Sequence, residues 1–425
     1  MILTFLILGM LGLLVLRVPV AFALLIPCLV YVTVSQDISL GVAQQRIVAG
    51  LNSFPLLAVP LFIMTGYLCN AAGLADRLFR WLMALLGRVP GSLGYVNVGS
   101  SLMFSWMSGA AIADAAALGS ILVPAMRKRG YDSGFALGLT GASSMLGPIM
   151  PPSIPAIIYA VTAGVSIGAL FFAGVLPALV LAAVLCLYVL LYARKHRPEA
   201  CDEDRSSNLL VTTLAAMPVL VTPVIILGGI LGGVFTPTEA AAAAVMYVLL
   251  LSLIYRSLSP SDFYRVLVQT ARTTGSIMLI VAAASLFGWV IAREEGPQRL
   301  AAVLLAITDN PYVFLLLINV ALLLIGMLLE PVAALLITVP VLLPVAHEFG
   351  IDPLHLGIVM ILNLVIGLLS PPVGLVLYVL ASVTGSSIQE VMRGTLPFLV
   401  PLAVTLLIVT FIPAVSLWLP SVLGM

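Results

Sequence analysis

The sequence has very little charge. Only 8% of its 425 residues are Asp, Glu, Lys or Arg, and the formal net charge is +1, whereas a soluble domain carries about 25% charged residues. A chain this poor in charge cannot cover a globule with a solvated surface, which excludes an ordinary soluble protein. The balanced charge also lacks the basic excess typical of nucleic-acid binding, so we expect no nucleic acid among the partners.

Cysteine and histidine are scarce and scattered. The four cysteines have no CxxC spacing, and the three histidines have no spacing typical of metal ligands. The sequence therefore lacks the pattern of a disulfide framework or a zinc site. It also lacks paired acids and any nucleophile with its base, the groups that an active site needs. We therefore predict that the protein is not an enzyme.

The sequence instead contains long apolar segments. Hydrophobic residues make up 62% of the chain, and apolar blocks long enough to cross a hydrocarbon core of roughly 30 Å recur from end to end. This pattern predicts an all-α polytopic membrane protein that forms one integrated membrane domain. The one markedly hydrophilic segment, residues 193–205, lies at mid-chain, and its basic residues directly after an apolar block predict a cytoplasmic position.

The chain contains an internal repeat. Pro151 and Pro152 recur as Pro371 and Pro372, 220 positions later. Other residues recur at nearly the same offset: Pro124, Gly130, Asp132, Gly147 and Pro177 as Pro344, Gly350, Asp352, Gly367 and Pro397, and Asn97 as Asn319. The recurrence predicts two repeats, residues 1–205 and 206–425. Duplication with discontinuous helices is typical of secondary transporters, and we expect two inverted repeats.

Each repeat contains two apolar arms that meet at a break. The arms occupy about residues 94–126 in the first repeat and 312–347 in the second, with breaks at Ser108–Gly109 and Glu330–Pro331. Each arm has about 15 helical residues, near 22 Å at 1.5 Å per residue, which is too short for a full crossing. The sequence therefore predicts two re-entrant helical hairpins with their tips buried in protein at membrane depth.

The proline pairs lie in apolar segments that we predict to be broken transmembrane helices, about residues 134–163 and 354–384. A helical proline cannot donate to the carbonyl four residues back. Four carbonyls should therefore lack donors, those of Gly147, Pro148, Gly367 and Leu368. Unpaired carbonyls cost several kcal/mol in a membrane, and serine hydroxyls lie nearby at positions 105, 108, 143, 144 and 370. Such ligands suit a weakly held monovalent cation, and we predict Na⁺.

Two acids stand in apolar surroundings near the hairpin breaks. Asp114 opens the second arm of the first hairpin, and Glu330 directly precedes the second arm of the second hairpin. An intramembrane acid is a functional candidate, so both acids, together with Ser108 and Ser144, are candidate substrate contacts. Helix capping is the alternative interpretation of each acid, because carboxylates are common at helix N-termini.

Four segments carry a resemblance to a known family: SGAAIADAAALGSILVPAM, GPIMPPSIPAIIYA, GGVFTPTEAAAAAVMY and IGLLSPPVGLVLYV. In this order they resemble the large membrane subunit (DctM-like, M subunit) of tripartite ATP-independent periplasmic (TRAP) transporters. The resemblance implies a scaffold plus an elevator-type transport domain in the bacterial inner membrane. The implied activity is Na⁺-coupled secondary active import of organic acid anions, such as C4-dicarboxylates or sialic acid.

The resemblance also implies partners and ion ligands. The partners are a small four-helix membrane subunit (DctQ-like), a periplasmic substrate-binding protein that delivers the anion, and membrane lipid. Two Na⁺ sites are implied: one at Ser105, Ser108, Gly147, Met150 and Pro152, the other at Gly326, Gly367, Ser370 and Val373. The first tip, SGAA, lacks a further small polar residue common in the family, and Glu330 replaces the commoner aspartate. These departures leave the substrate contacts open.

The nearest alternative function is a stand-alone Na⁺/dicarboxylate transporter of a related two-hairpin fold, which would need no binding protein. A channel is a further alternative, but a channel requires continuous polarity along a pore. In this sequence the polar residues of the apolar segments concentrate at the two breaks. Secondary transport therefore remains the favoured interpretation.

Overall fold

The computed structural model describes residues 2–35, 38–87, 89, 91–196 and 209–425. Within these residues the regular structure is helical, and no strand is present. Residues 197–208, which include most of the hydrophilic segment 193–205, lie outside the described residues, so the cytoplasmic position of that segment stays a prediction.

The first half of the chain forms α1 (Ile2–Val15), α2 (Val20–Val34), α3 (Leu40–Leu51), α4 (Ala58–Ala71), α5 (Leu74–Leu86), α6 (Ser92–Ser108), α7 (Ala111–Lys128), α8 (Ser133–Ser144), α9 (Ile154–Ala163) and α10 (Ile167–His196). A 3₁₀ turn, Phe54–Leu57, leads directly into α4.

The second half forms α11 (Leu209–Pro223), α12 (Gly229–Leu231), α13 (Pro237–Ile254), α14 (Pro260–Arg293), α15 (Gly296–Ile307), α16 (Pro311–Leu328), α17 (Pro331–Glu348), α18 (Pro353–Gly367), α19 (Leu375–Thr384), α20 (Ile388–Thr395), α21 (Leu399–Phe411) and α22 (Ala414–Val422). A π-helical turn, Val224–Gly228, joins α11 to α12, and a 3₁₀ turn, Leu396–Phe398, joins α20 to α21.

Among the described residues, eight helical segments are long and apolar enough to cross a membrane. They are Phe54–Ala71, Ile167–His196, Leu209–Leu231, Pro237–Ile254, Pro260–Arg293, Pro311–Leu328, Pro331–Glu348 and Ile388–Phe411. Their outward faces are apolar, as Leu214 and Leu253 show with 72% and 73% of their surface exposed. Such faces suit contact with lipid. The prediction of an all-α polytopic membrane protein is confirmed.

The two hairpins are α6–α7 and α16–α17. Their breaks fall at the predicted places, but the predicted arm length was wrong, because the arms have 17 or 18 helical residues each. Pro124, Pro340 and Pro344 stay inside their helices and do not end them. Length alone therefore does not separate a re-entrant hairpin from two crossings, and re-entry stays a prediction that depends on the buried first tip.

The two broken helices begin in the same way. The Asp132 side chain accepts a hydrogen bond from the Phe135 N–H at 2.9 Å and caps α8, and Asp352 accepts from the Leu354 N–H at 2.8 Å and caps α18. An aspartate at this position satisfies amide groups that a helix leaves unpaired. Each helix then ends before its proline pair, and both pairs are joined by a cis peptide bond.

Each hairpin packs its second arm against the broken helix of the other repeat. α7 packs on α19, and α17 packs on α9. At the first of these contacts, a Cβ atom on Gly119 would lie 3.0 Å from the Leu380 side chain. α8 also packs on α20, where the backbones of Gly138 and Gly394 meet. Hairpins and broken helices from both halves of the chain therefore pack together as one unit.

A polar cluster, which we call the Arg127 clamp, holds one edge of this unit together. Arg127, in the last turn of α7, donates from Nη2 to the hydroxyls of Ser133 and Ser386, both at 2.6 Å. The same nitrogen lies 3.3 Å from the Glu390 carboxylate, to which Ser133 also donates at 2.5 Å. The clamp therefore links the first hairpin to the start of α8 and to α20.

Candidate functional site

The first hairpin tip is a tight turn closed by a glycine. α6 ends at Ser108, and Gly109 follows with a φ of +61°, a left-handed conformation that glycine adopts at little cost. A Cβ atom on Gly109 would lie 2.6 Å from the carbonyl oxygen of Pro152. The tip therefore rests directly on the loop between α8 and α9, and a side chain at Gly109 would separate them.

The loop between α8 and α9 holds the first proline pair outside any helix. α8 ends at Ser144, and the chain turns through residues 145–153 without continuing the helix. Ser153 then caps α9 by accepting from the Ala156 N–H at 3.1 Å. The predicted break is present, but the prediction that helical prolines cause it was wrong. The helix ends first, and the prolines belong to the loop.

The carbonyl groups of this loop differ in their hydrogen bonding. Among the described residues, no N–H or O–H donates to the carbonyl oxygens of Gly147 and Pro152. The carbonyl of Pro148, which we predicted to be free, accepts from the Ser153 hydroxyl. The loop is buried in protein. Gly147 and Pro152 therefore present oxygens that still have both lone pairs available.

Asp114 faces this loop from the first turn of α7. The Ser108 hydroxyl donates to its Oδ1, and its Oδ2 is buried without a hydrogen-bond partner among the described residues. A Cβ atom on Gly147 would lie 2.5 Å from that Oδ2, so the glycine backbone and the carboxylate are in contact. Ala110 is the N-cap of α7. The interpretation of Asp114 as a helix cap is therefore wrong.

Three other predicted residues of the first repeat, Ser105, Met150 and Ser144, are buried. The Ser105 hydroxyl donates to the Leu102 carbonyl at 2.6 Å, and the Ser144 hydroxyl donates to the Gly141 carbonyl at 2.8 Å. Each serine therefore directs its proton into its own helix, and its oxygen keeps lone pairs for a cation. No hydrogen bond among the described residues ties Ser144 to the hairpin tip.

In the second repeat the hairpin and the broken helix touch backbone to backbone. A Cβ atom on Gly326, near the end of α16, would lie 2.9 Å from the Leu364 carbonyl oxygen and 3.3 Å from the Gly367 Cα. Only small residues allow helices to approach so closely. Ser370 is buried, Val373 is half-buried, and both lie in the loop 368–374 that follows α18.

Two carbonyls that we predicted to be free in the second repeat have donors. The Gly367 carbonyl accepts from the Ser370 N–H at 3.0 Å, and the Leu368 carbonyl accepts from the Val376 N–H at 3.2 Å. Both predictions were wrong because the chain turns back on itself after α18 and supplies main-chain donors. Each oxygen keeps one lone pair that can bind an ion, but neither is an unpaired group that requires one.

Glu330 lies at the tip of the second hairpin and caps α17. Its carboxylate accepts from the Ala333 N–H at 3.3 Å, and the residue is half-buried. The capping interpretation of Glu330 is confirmed. The two acids therefore stand in different environments, since Glu330 satisfies a helix N-terminus and Asp114 does not.

A pair of buried amide networks was not among the predicted site residues. In the first repeat, the Asn97 amide donates to Thr140 at 2.7 Å and accepts from Ser143 at 2.8 Å. In the second, the Asn363 amide donates to Asn319 at 2.7 Å. Both networks join the first hairpin arm to the broken helix. The recurrence of Asn97 as Asn319 was the one sequence signal that pointed to them.

Known proteins resemble this chain over nearly its whole length. Residues 7–415 match the family described as "Tripartite ATP-independent periplasmic transporter, DctM component". The chain is 44% identical over 418 residues to the sialic acid TRAP transporter large permease protein SiaM of Vibrio cholerae, with 97% of each chain covered. It is 39% identical over 373 residues to the C4-dicarboxylate TRAP transporter large permease protein DctM of Pseudomonas aeruginosa, with 88% of this chain and 87% of that protein covered.

Among solved structures, the fold is similar to that of the Alcanivorax borkumensis YdaH transporter. The TM-score is 0.60, and the match covers 89% of this chain and 87% of that one at 16% identity, which supports the fold alone. The relatives are transporter permeases, so the prediction that the protein is not an enzyme is confirmed. The chain belongs to the DctM-component family of TRAP transporters and is a large permease subunit of the bacterial inner membrane.

Proposed function

We propose that this permease imports organic acid anions by Na⁺-coupled secondary active transport with an elevator movement. The observation that carries the proposal is the contact between each hairpin and the broken helix of its own repeat. Gly109 meets Pro152 in the first repeat, and Gly326 meets Gly367 in the second. Paired helix breaks in corresponding positions are where secondary transporters hold their substrate and coupling ions.

The oxygens at the first tip suit Na⁺. The described residues contain no group of three His, Cys, Asp or Glu side chains that could hold a metal ion, so main-chain and hydroxyl oxygens must supply most ligands. Donor-free carbonyls at Gly147 and Pro152 meet this need. Such neutral oxygens suit a hard monovalent cation that must also be released. When bound, Na⁺ supplies positive charge that allows an anion to approach.

The residues that we propose to hold Na⁺ are Ser105, Ser108, Gly147, Met150 and Pro152 at the first site, and Gly326, Gly367, Ser370 and Val373 at the second. The second set is supported by the backbone contact between Gly326 and Gly367.

The proposed substrate is a carboxylate. The relatives are named for sialic acid and for C4-dicarboxylates, and both are organic acid anions. Ser144 is the proposed direct contact, since its hydroxyl can turn from the Gly141 carbonyl to donate to a carboxylate. The Ser108 hydroxyl instead donates to Asp114 and reaches the substrate through bound Na⁺. Asp114 and Glu330 are poor direct contacts, since like charges repel. We propose that Asp114 acts on the substrate only through a bound cation, whereas Glu330 serves as the cap of α17.

The proposed partners follow from the tripartite family to which the chain belongs. They are a small four-helix membrane subunit and a periplasmic substrate-binding protein that delivers the anion. Membership of this family favours the three-part system over the stand-alone Na⁺/dicarboxylate transporter.

The test is uptake into proteoliposomes that contain this chain with its small subunit. Binding protein loaded with radiolabelled sialic acid or succinate is added outside, with an inward gradient of either Na⁺ or choline. We expect uptake only when both Na⁺ and the binding protein are present. Equal uptake in choline would refute Na⁺ coupling. Equal uptake of free substrate without the binding protein would instead support the stand-alone transporter.

A further inference from the structure

The two hairpins have corresponding second arms but place their acids differently. α7 and α17 each have 18 residues, and α17 begins 220 positions after α7. Asp114 is the fourth residue of α7, whereas the fourth residue of α17 is Ala334. Glu330 directly precedes α17, whereas Ala110 directly precedes α7. Each tip therefore has one acid, but only the first repeat places it inside the arm.

The environment of Asp114 lacks a positive charge. Asp114 is 0% exposed, and no described Arg, Lys or His forms an ion pair with it. One carboxylate oxygen accepts from Ser108, and the other has no described partner. A buried carboxylate with an unsatisfied oxygen is costly unless a cation balances it. The second repeat has no such requirement, because Ala334 is apolar.

The position of the unsatisfied oxygen shows where that cation would lie. Oδ2 contacts the backbone of Gly147, whose own carbonyl has no described donor. Ser108 directs its hydroxyl hydrogen to Oδ1, so the lone pairs of the Ser108 oxygen face away from Asp114. The unsatisfied carboxylate oxygen therefore lies against the residue that carries a free carbonyl, and the same carboxylate holds the Ser108 hydroxyl.

We propose that Asp114 is a positioning residue of the first Na⁺ site. It orients the Ser108 oxygen toward the cation and supplies the negative charge that neutral ligands lack. The inference rests on the proposed Na⁺ coupling and makes the two sites unequal. The first site binds Na⁺ more tightly, because the second has Ala334 in place of the acid. Asp114 then has no direct contact with the substrate.

The test measures Na⁺ binding through the melting temperature of the purified complex with its small subunit. NaCl is titrated against choline chloride at constant ionic strength for the wild type, Asp114→Asn, Asp114→Ala and the matched control Glu330→Gln. We expect the Asp114 variants to need about tenfold more Na⁺ for half-maximal stabilisation, equivalent to about 1.4 kcal/mol. We expect Glu330→Gln to remain close to the wild type.

The melting temperature in choline chloride without Na⁺ provides a second readout. The Asp114 variants should melt at the same temperature as the wild type or higher, because each removes an unbalanced buried charge. A purely structural role would lower the melting temperature in both salts, and this result would overturn the proposal. Asp114→Ala reproduces the residue at the corresponding position of α17 and has high helix propensity, so it serves if Asp114→Asn does not fold.

The outcomes separate this inference from the proposed function. A wild-type complex that Na⁺ does not stabilise would refute the proposed Na⁺ site itself. A wild-type complex that responds to Na⁺, with Asp114 variants that respond at the same concentration, would refute the role of Asp114 alone.

Discussion

At the residue scale, the candidate site depends on glycines that allow polar groups to approach each other. Gly147 contacts the Asp114 carboxylate, and Gly109 contacts the Pro152 carbonyl. Without a Cβ atom at these positions, main-chain oxygens and the carboxylate can surround one small volume. These glycines therefore contribute to the site through the space that they leave open.

We predict that Gly147→Ala disrupts the first site. The new Cβ atom would lie 2.5 Å from Asp114 Oδ2 and 3.2 Å from the Ala110 carbonyl carbon, and a buried clash of this kind costs about 1–3 kcal/mol. We expect a lower melting temperature, loss of most Na⁺-driven uptake and a weaker response of the melting temperature to Na⁺. Proteoliposome uptake and thermal melts of the complex measure these effects.

Gly275→Ala is the matched control for Gly147→Ala. Gly275 lies within α14, and a Cβ atom there meets nothing within 4 Å. Alanine favours a helix by up to about 1 kcal/mol over glycine, so stability should be unchanged or higher and uptake should persist. If Gly147→Ala behaves like this control, Gly147 does not contribute to the site as we describe.

At the element scale, the hairpins are coupled across the two halves of the chain. The contacts of α7 with α19 and of α17 with α9 mean that neither hairpin can move far without the broken helix of the other repeat. The Arg127 clamp strengthens this coupling at the edge of the unit. We therefore expect both hairpins and both broken helices to move as one body.

We predict that Arg127→Ala loosens this body. The ion pair with Glu390 is partly exposed, at 31% and 41% of the side chains, and such a pair contributes about 0–1 kcal/mol. Loss of the hydrogen bonds to Ser133 and Ser386 adds to this cost. We expect a lower melting temperature and slower uptake.

Arg265→Ala serves as the control for the clamp. Arg265 forms an exposed pair with Asp262 at 3.4 Å within one helix, and its removal should change neither stability nor uptake. Equal behaviour of the Arg127 and Arg265 variants would contradict a coupling role for the clamp.

The helix breaks and starts were predictable from the sequence, but the arm lengths were not. Asp132 and Asp352 mark helix starts because an aspartate satisfies the amides of its own first turn. Pro124, Pro340 and Pro344 lie inside the arms, and each remains within a helix. Tertiary packing can hold a proline inside a helix against its local preference, and the sequence does not show which prolines are held in this way.

At the scale of the whole molecule, a cavity separates the first hairpin from α4 and α5. It has a volume of about 220 Å³, and Asn70, Asp76, Ala117 and Ser120 are among its lining residues. If the hairpin moves against α4 and α5 as an elevator does, this cavity must change in size during transport.

We predict that access to the cavity depends on Na⁺ and substrate. A Ser120→Cys variant can report this access, because Ser120 lines the cavity and is exposed. Cys28, Cys69, Cys186 and Cys201 are replaced first to remove background thiols. We expect the labelling rate with a water-soluble thiol reagent to differ several-fold between choline and Na⁺ with substrate.

Ser261→Cys is the control for labelling, since Ser261 is exposed in the first turn of α14 and does not line the cavity. Its labelling rate should be the same in both conditions. Unchanged labelling of Ser120→Cys would argue against movement of the first hairpin relative to α4 and α5.

The sequence by itself determined that this protein is a helical membrane transporter and where its helices break. The membrane class follows from composition, the helix breaks follow from residues that act between neighbours in the chain, and the transporter class follows from the internal repeat and the four segments that resemble the TRAP family. Only the tertiary structure decided which carbonyls lack donors and that Asp114 lies against Gly147. The physical reason is that burial and hydrogen-bond satisfaction depend on groups far apart in sequence, which the fold alone brings together.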